Sequence, residues 1–206
     1  MNFKYYDLLS SLVTGVIVCI SINYAFELNF DYDAIPLLAI AYIVGYFINS
    51  ISALCENTFY KIMGGMPSDV LLTPIEGISY TGYKRIKFYQ PDRVIELLKD
   101  ELHDQNPSKG KMFGKAMSYS NSDSSTRVPD FNAQYAFSRA LLTTVIILGV
   151  IWGFQLYNEL WYWFILIILL YLSYRRCKER GYYYAREVLI EYLHNKEIEK
   201  KNTLIH

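Results

Sequence analysis

A mixture of basic and aromatic residues at positions 80–89 is the part of this chain best suited to bind a charged ligand. Aromatic rings stack on nucleobases, and lysine and arginine side chains pair with phosphate groups. The same residue types also suit anionic lipid headgroups or an ordinary domain surface, and the sequence leaves these three interpretations open. The residues that we predict for ligand binding are Tyr83, Lys84, Arg85 and Lys87.

Polar residues inside apolar segments form a second set of candidates. Amide or ionisable groups at membrane depth are costly, and they often line a water path or a contact between helices. A ring of Glu27 side chains at the outer mouth of an oligomeric pore would favour cations. The alternative is that Glu27 marks the membrane interface, while Asn23 and Asn49 bond to neighbouring helices or to the backbone. The predicted pore-lining residues are Thr14, Asn23, Glu27 and Asn49.

Residues for catalysis or metal binding are scarce. No two of the histidines, His103, His194 and His206, have the spacing of metal ligands, and neither do the cysteines. The serines lack a nucleophile-elbow context, and the pair Gly64-Gly65 is not followed by the Gly-Lys-Ser/Thr of a phosphate loop. We therefore predict that the protein is not an enzyme and uses neither a metal nor another cofactor.

The elements that must position these candidates are long apolar stretches, which lie at residues 8–28, 35–55, 140–156 and 160–174. One helical crossing of a bilayer needs about 20 apolar residues. All 20 basic residues lie outside the turns at 29–34 and 157–159, whose only charged residues are acidic. Because basic residues tend to stay on the cytoplasmic side, the pattern predicts four transmembrane helices with both termini inside. The predicted fold is an all-α, multi-pass inner-membrane protein.

These stretches divide the chain into four predicted parts. Residues 1–55 form a first transmembrane hairpin, and residues 138–174 form a second one. Between them, residues 56–137 form a mainly helical cytoplasmic insert, in which we predict a helix at 91–105. Residues 175–206 continue the fourth span as a cytoplasmic C-terminal helix. The insert carries 10 basic and 10 acidic residues, so it is not a polycation.

Two patterns predict how the helices pack. Small residues let helix backbones approach closely, and the second span carries a face of them at fourfold spacing: Ala41, Gly45, Asn49 and Ala53. The third span has a similar pair, Gly149 and Gly153. The C-terminal helix carries an apolar stripe at helical spacing: Ala185, Val188, Leu189, Tyr192 and Leu193. Either the insert or a neighbouring copy of the chain must cover that stripe.

Short motifs at residues 6–9, 41–45, 64–68 and 131–139 resemble a loose group of small bacterial four-span membrane proteins. Where members of such groups have a proposed role, it is often that of a membrane effector in antiviral (anti-phage) defence. One example is the Hailong type, whose effector resembles an oligonucleotide-gated channel. The resemblance implies a nucleotide or oligonucleotide ligand that a partner nucleotidyltransferase makes. None of that type's ligand-binding residues can be matched to positions in this chain.

Two hypotheses of function follow from these patterns. In the first, a homo-oligomer in the bacterial inner membrane senses a ligand through its cytoplasmic parts and then opens an ion channel or disrupts the lipid bilayer. In the second, the protein is a non-conducting membrane anchor or scaffold whose insert recruits a cytoplasmic partner. Apolar substitutions at Asn23 or Glu27 separate the two, because only a channel should change its conductance or selectivity.

Overall fold

The chain folds almost entirely into helices. The structure, a computed structural model, describes residues 5–28, 34–75, 77–120 and 127–203. Its elements in chain order are α1 (Tyr5–Ala25), α2 (Ala34–Leu54), α3 (Glu56–Met63), α4 (Pro67–Leu71), β1 (Ser79–Tyr80), β2 (Lys87–Phe88), α5 (Pro91–Leu102), α6 (Lys109–Ser120), α7 (Val128–Gly153) and α8 (Leu160–Thr203). Most of the predicted turn at 29–34 lies outside the described residues, as do residues 121–126 of the predicted insert.

The chain divides into two compact units, and each is built from two segments. The first comprises Met1–Phe59 and Ala133–Cys177, and we call it the apolar unit. The second comprises Tyr60–Asn132 and Lys178–His206, and we call it the insert unit. The predicted insert, residues 56–137, and the predicted C-terminal helix thus supply most of the insert unit.

The apolar unit contains all or most of the apolar part of each helix that could cross a membrane. Three helical segments are long and apolar enough to do so by length and composition: Ile35–Leu54, Val128–Gly153 and Leu160–Asn202. The apolar part of α1, Ser10–Ala25, is shorter. The predicted all-helical character and the presence of membrane-length apolar helices are therefore confirmed.

Helices α1 and α2 pack so closely that two positions require glycine. A Cβ atom on Gly15 would lie 1.7 Å from the carbonyl oxygen of Ala41. A Cβ atom on Gly45 would lie 1.7 Å from the carbonyl oxygen of Ser11. The predicted small-residue face of α2 therefore packs at Ala41 and Gly45, whereas Ala53 is exposed. The two helices run antiparallel, since Gly15 lies against Ala41 and Gly45 lies against Ser11.

The apolar unit turns large hydrophobic side chains outward and hydroxyl groups inward. Phe47, Phe164 and Ile167 are 61%, 68% and 64% exposed, whereas Thr14 and Ser52 are fully buried. Several buried hydroxyls donate to the carbonyl one turn earlier in their own helix, at Thr14, Ser138, Thr144 and Ser173. A contiguous apolar exterior of this kind is rare on a domain that is surrounded by water.

The insert unit has its own hydrophobic core around the C-terminal part of α8. Val188, Leu189 and Tyr192 are fully buried there. They belong to one cluster with residues of α4, β2 and its preceding turn, α5 and α6: Leu71, Ile86, Phe88, Val94, Leu98, Met112 and Ala116. The apolar stripe predicted on the C-terminal helix is therefore confirmed as a packing face, and the insert covers it.

Helix α8 is one continuous helix of 44 residues that contributes to both units. Its residues 160–177 belong to the apolar unit, and its residues 178–203 belong to the insert unit. Helix α5 also lies close to its predicted place, and α7 contains most of the predicted apolar stretch at 140–156. Helix α5 ends at Leu102, because His103 adopts the left-handed conformation with φ 50°.

Candidate functional site

A charged pair lies among the helices of the apolar unit and organises a polar network. Arg139 of α7 donates from Nη1 to the carboxylate of Glu56, and the Arg139 side chain is only 12% exposed. Its Nε donates to the Ser52 hydroxyl at 3.2 Å. Tyr135 donates its hydroxyl to the other carboxylate oxygen of Glu56 at 3.1 Å, and the guanidinium lies 5.3 Å from the centre of the Tyr135 ring. The network thus joins α2, α3 and α7.

The local sequence explains why charges meet at this place. Glu56 directly follows the second predicted apolar stretch, and Arg139 directly precedes the third. A charge that is removed from water must be paired and hydrogen-bonded to be tolerated, and both carboxylate oxygens of Glu56 have donors. Sequence reasoning missed this pair. The available signal was two opposite charges that flank different apolar stretches at the same predicted membrane face.

One of the predicted pore residues joins this network. Ser52 donates its hydroxyl to the backbone carbonyl of Asn49 at 2.7 Å and reaches its side-chain Oδ1 at 3.5 Å. Asn49 is half-buried, and Ser52 is fully buried. The side chain of Asn49 therefore lies within one helical turn of the charged pair rather than on an isolated face of α2.

The other predicted pore residues occupy three different environments. Thr14 is fully buried, and its hydroxyl donates to the carbonyl of Ser10 at 2.9 Å. Asn23 is half-buried in the last turn of α1. Glu27 lies beyond the end of α1, where it is exposed and has a positive φ of 47°. Within one copy of the chain, the structure does not bring these side chains together into a continuous polar face.

The predicted ligand-binding residues lie on a short hairpin of the insert unit. Strands β1 and β2 pair antiparallel, with Tyr80 opposite Lys87. Ile86 and Phe88 of the same hairpin are buried in the core of the insert unit. Lys84, Arg85 and Lys87 are exposed. Tyr83 is half-buried, and its ring packs 6.0 Å from the ring of Tyr182 in α8. The hairpin therefore presents three cations on its surface, while the aromatic member belongs to the edge of the core.

A second charged cluster in the insert unit was also missed by sequence reasoning. The carboxylate of Glu101 in α5 accepts hydrogen bonds from the hydroxyls of Tyr119 and Tyr192, the latter at 2.9 Å. The ammonium of Lys196 lies 3.1 Å from the same carboxylate, and it also donates to the Tyr119 hydroxyl at 2.8 Å. The side chains of Glu101 and Lys196 are 18% and 17% exposed. These contacts tie α5 and α6 to the last part of α8.

The electrostatics of this cluster favour its charged form. Burial opposes the charge on Glu101, but hydrogen bonds from Tyr119, Tyr192 and Lys196 outweigh it and hold the pKa of Glu101 below its ordinary value. Burial also disfavours the ammonium of Lys196, yet its bonds to Glu199, Tyr119 and Glu101 raise the pKa of Lys196. Burial and the bond to Glu101 raise the pKa of Tyr192, so this hydroxyl remains a neutral donor.

We expect Glu101→Gln to lower the free energy of unfolding by about 2 kcal/mol near neutral pH, because it weakens charge-assisted hydrogen bonds. The folded-state pKa of Glu101 lies below its unfolded value of about 4.3, so its contribution is present above that pH and lost as the pH falls through the folded value. The folded-state pKa of Lys196 is raised, so its contribution is present below about pH 10.4 and lost as the pH rises through the folded value.

Thermal unfolding of the detergent-solubilised protein between pH 3 and 8, roughly the range over which carboxylates titrate, measures this effect. The wild type should lose stability in acid more steeply than Glu101→Gln. Glu96→Gln is the matched control, since Glu96 is also on α5 but its side chain is 64% exposed. Identical acid dependence of the wild type and Glu101→Gln would show that this carboxylate contributes no pH-dependent stability.

Metal binding finds no support in the described geometry, and the predicted absence of a cofactor stays a prediction. Among residues 5–28, 34–75, 77–120 and 127–203, no three His, Cys, Asp or Glu side chains form a group that could hold a metal ion. Cys19, Cys55 and Cys177 are free thiols.

Comparisons with known proteins found no match for this chain. No protein-family model matches it. No curated protein matches it. No solved structure matches it.

Proposed function

We propose that this chain is a four-span protein of the bacterial inner membrane that assembles into a homo-oligomer and changes the permeability of the membrane when its insert unit is altered by a ligand or partner. Both termini and the insert unit lie in the cytoplasm. The basic residues that flank the apolar helices support this orientation, since the turn at 157–159 has only an acidic charge.

The distribution of side chains in the apolar unit supports a membrane location for all of its helices. Its exterior is apolar, while hydroxyls such as Thr14 and Thr144 are buried and bonded within their own helices. A bilayer favours this arrangement, because hydroxyls that are buried and bonded within their own helix are not exposed to hydrocarbon. In this proposal α1 is the fourth span: its apolar part, Ser10–Ala25, extends about 24 Å, and local thinning of the bilayer accommodates a span shorter than about 30 Å.

The continuity of α8 is the observation that carries the regulatory part of the proposal. Residues 160–177 of this helix belong to the apolar unit, and Val188, Leu189 and Tyr192 of the same helix are fully buried in the core of the insert unit. A helix transmits rotation and translation along its length far better than a loop does. A ligand that repacks the core of the insert unit would therefore move the fourth span.

The close packing of α1 and α2 supports a path for ions between copies rather than within one copy. Gly15 and Gly45 are in backbone contact with the opposite helix, which leaves no room for water between α1 and α2 at these two positions. Thr14 faces the interior of its own unit. In the proposed oligomer, Glu27 is therefore the strongest of the predicted pore residues, because it is exposed and carries the charge that attracts cations.

A non-conducting anchor is the second candidate function, and one observation favours it. The buried hydroxyls of the apolar unit donate to carbonyls of their own helices, as Ser138 and Ser173 do, so they do not form a polar path through the unit. Under this alternative the insert unit would recruit a cytoplasmic partner, and the membrane would stay sealed.

Ion flux from liposomes separates the two functions. The purified chain is reconstituted at equal density as wild type, as Val188→Ala and as Lys111→Ala, and efflux of potassium is followed with and without the nucleotide fraction of a bacterial lysate. Val188 is fully buried in the insert core, whereas Lys111 is exposed on α6 of the same unit.

A regulated channel predicts that the wild type conducts in at least one condition. It also predicts that Val188→Ala changes the rate by about tenfold while Lys111→Ala changes it much less, if a shift of about 1.4 kcal/mol in the gating equilibrium is assumed. Absence of flux from all three proteins in both conditions would contradict the proposal and favour the anchor.

A further inference from the structure

One tyrosine side chain faces outward from the middle of an apolar helix. Tyr46 of α2 is 60% exposed, and none of the residues that the structure describes hydrogen-bonds to its hydroxyl. It lies at least about 12 Å along the helix axis from either end of the apolar segment Ile35–Leu54, which is farther than a tyrosine side chain reaches. A hydroxyl without a partner in hydrocarbon costs free energy, so we expect a polar group of another molecule beside Tyr46.

Depth distinguishes Tyr46 from the other exposed tyrosines in the described part of the apolar unit. Tyr24 lies in the last turn of α1, Tyr157 lies between α7 and α8, and Tyr171 lies one turn before Arg175. Tyrosines at the ends of spans reach the level of the lipid headgroups, where polar partners are plentiful. At the depth of Tyr46 the lipid offers only hydrocarbon, so the missing partner must belong to a protein.

The exposed surface of α2 has two flanks of different composition. The flank with small or polar residues and one isoleucine is called the Tyr46 face, and it comprises Ala39, Ile43, Tyr46, Ser50 and Ala53. The other flank has only large apolar residues, which are Ile40, Phe47, Ile51 and Leu54. All of these side chains are exposed, and they lie away from the contact with α1. Large apolar side chains suit lipid, whereas small and polar ones suit contact between membrane helices.

A second copy of this chain supplies what the Tyr46 face lacks. Copies that are inserted with the same orientation hold identical residues at identical depths, so the face of one copy meets itself across a two-fold axis. A hydroxyl is both a donor and an acceptor, and one Tyr46 can therefore donate to the other. The members of the face recur at alternating intervals of four and three residues, which is the spacing of two helices that pack at a small left-handed crossing angle.

We propose that α2 of a second copy covers the Tyr46 face, with the two Tyr46 hydroxyls hydrogen-bonded to each other in the middle of the membrane. Ser50 lies one turn away, and its hydroxyl already donates to the backbone carbonyl of Tyr46 at 3.0 Å, so it can lie in the contact at no cost. The inference deepens the proposed function by naming the surface through which copies join. It rests on that function for the membrane location and the shared orientation, but its test needs no ion flux.

Disulfide cross-linking tests which flank of α2 meets a second copy. In a protein whose three native cysteines are replaced by serine, single cysteines are introduced as Ser50→Cys or Ala53→Cys on the Tyr46 face. The matched controls on the other flank are Ile51→Cys and Leu54→Cys, which are also exposed. A disulfide forms only where two Cα atoms come within about 7 Å. Oxidation in native membranes should therefore give linked dimers from the Tyr46 face and not from the controls.

Tyr46→Phe isolates the contribution of the hydroxyl. Copies that carry a donor or an acceptor fluorescent protein at the C-terminus are mixed in liposomes, and energy transfer is followed as added lipid dilutes the protein. We expect Tyr46→Phe to raise the apparent dissociation constant by about threefold or more, because it removes a hydrogen bond between membrane helices. Phe47→Leu is the control on the other flank, since Phe47 is 61% exposed, and it should stay within about twofold of the wild type.

The outcomes separate this inference from the proposed function. Linked dimers from the other flank alone, or equal yields from both flanks, would overturn the inference and leave the homo-oligomer in place. An unchanged dissociation constant in Tyr46→Phe, or an equal change in Phe47→Leu, would overturn it as well. A wild-type chain that stays monomeric at every density in the liposomes, with no cross-link from either flank, would overturn both the inference and the homo-oligomer.

Discussion

Gly15→Leu should prevent the apolar unit from assembling, and Gly15→Ala should already destabilise it by about 2–3 kcal/mol through overpacking. The reason is that the first atom added at Gly15 would lie 1.7 Å from the carbonyl oxygen of Ala41. Backbone cannot rotate away as a side chain can, so α1 and α2 would have to separate. Small residues provide close contact between membrane helices, and that contact would be lost along the whole pair.

Gly153→Ala is the matched control, because it makes the same substitution at the end of α7 in the same unit. A Cβ there would meet only the Tyr162 hydroxyl at 3.6 Å, which is ordinary van der Waals contact. The measurement is the unfolding free energy in detergent, obtained from helicity during titration with sodium dodecyl sulfate. Equal stability of Gly15→Ala and Gly153→Ala would contradict the close approach of α1 and α2.

Arg139→Met should destabilise the apolar unit by about 3–4 kcal/mol, because it leaves Glu56 without its charged partner in a poorly solvated place. The same substitution also removes the donor to the fully buried Ser52 hydroxyl and the contact with the Tyr135 ring. Glu56→Gln should cost less, since the side chain of Glu56 is 33% exposed and water can compensate in part.

A double-mutant cycle isolates the interaction between these two side chains. We expect the double variant Arg139→Met/Glu56→Gln to be more stable than the sum of the single effects by about 1–3 kcal/mol. The exposed pair of Arg93 and Glu96, 3.1 Å apart, is the control, and its coupling should stay below about 0.5 kcal/mol. Strictly additive effects at Arg139 and Glu56 would mean that the two side chains do not interact in the folded protein.

The sequence predicts most of the helices because their signals are local. Apolar runs give the membrane-length helices, and helical spacing at Val188, Leu189 and Tyr192 gives the face that the insert covers. The sequence predicts only one side of the contact between Ala41 and Gly15. The small residues at fourfold spacing predict the packing face of α2, but they do not predict which position of α1 it meets.

The polar clusters could not be predicted for a different physical reason. Arg139 meets Glu56 across 83 residues of sequence, and Tyr192 meets Glu101 across 91. Such contacts depend on the tertiary arrangement and leave no periodic signal. Tyr83 illustrates a different limit of prediction from sequence. The basic and aromatic composition of its segment indicates a ligand contact on the surface. Strand alternation in the short hairpin instead places part of that segment in the hydrophobic core of the insert unit. The ligand-binding and pore-lining assignments stay predictions.

The central claim is that the chain crosses the membrane four times and keeps its insert unit on the cytoplasmic side. Site-directed labelling tests it most directly, with Cys19, Cys55 and Cys177 replaced by serine and with single cysteines introduced as Asn158→Cys and Ser118→Cys. Both introduced positions are exposed, the first between α7 and α8 and the second on α6. In intact spheroplasts, a membrane-impermeant maleimide should label only the cysteine at position 158, and the cysteine at position 118 should react only after lysis. Labelling of position 118 in intact spheroplasts would contradict the claim.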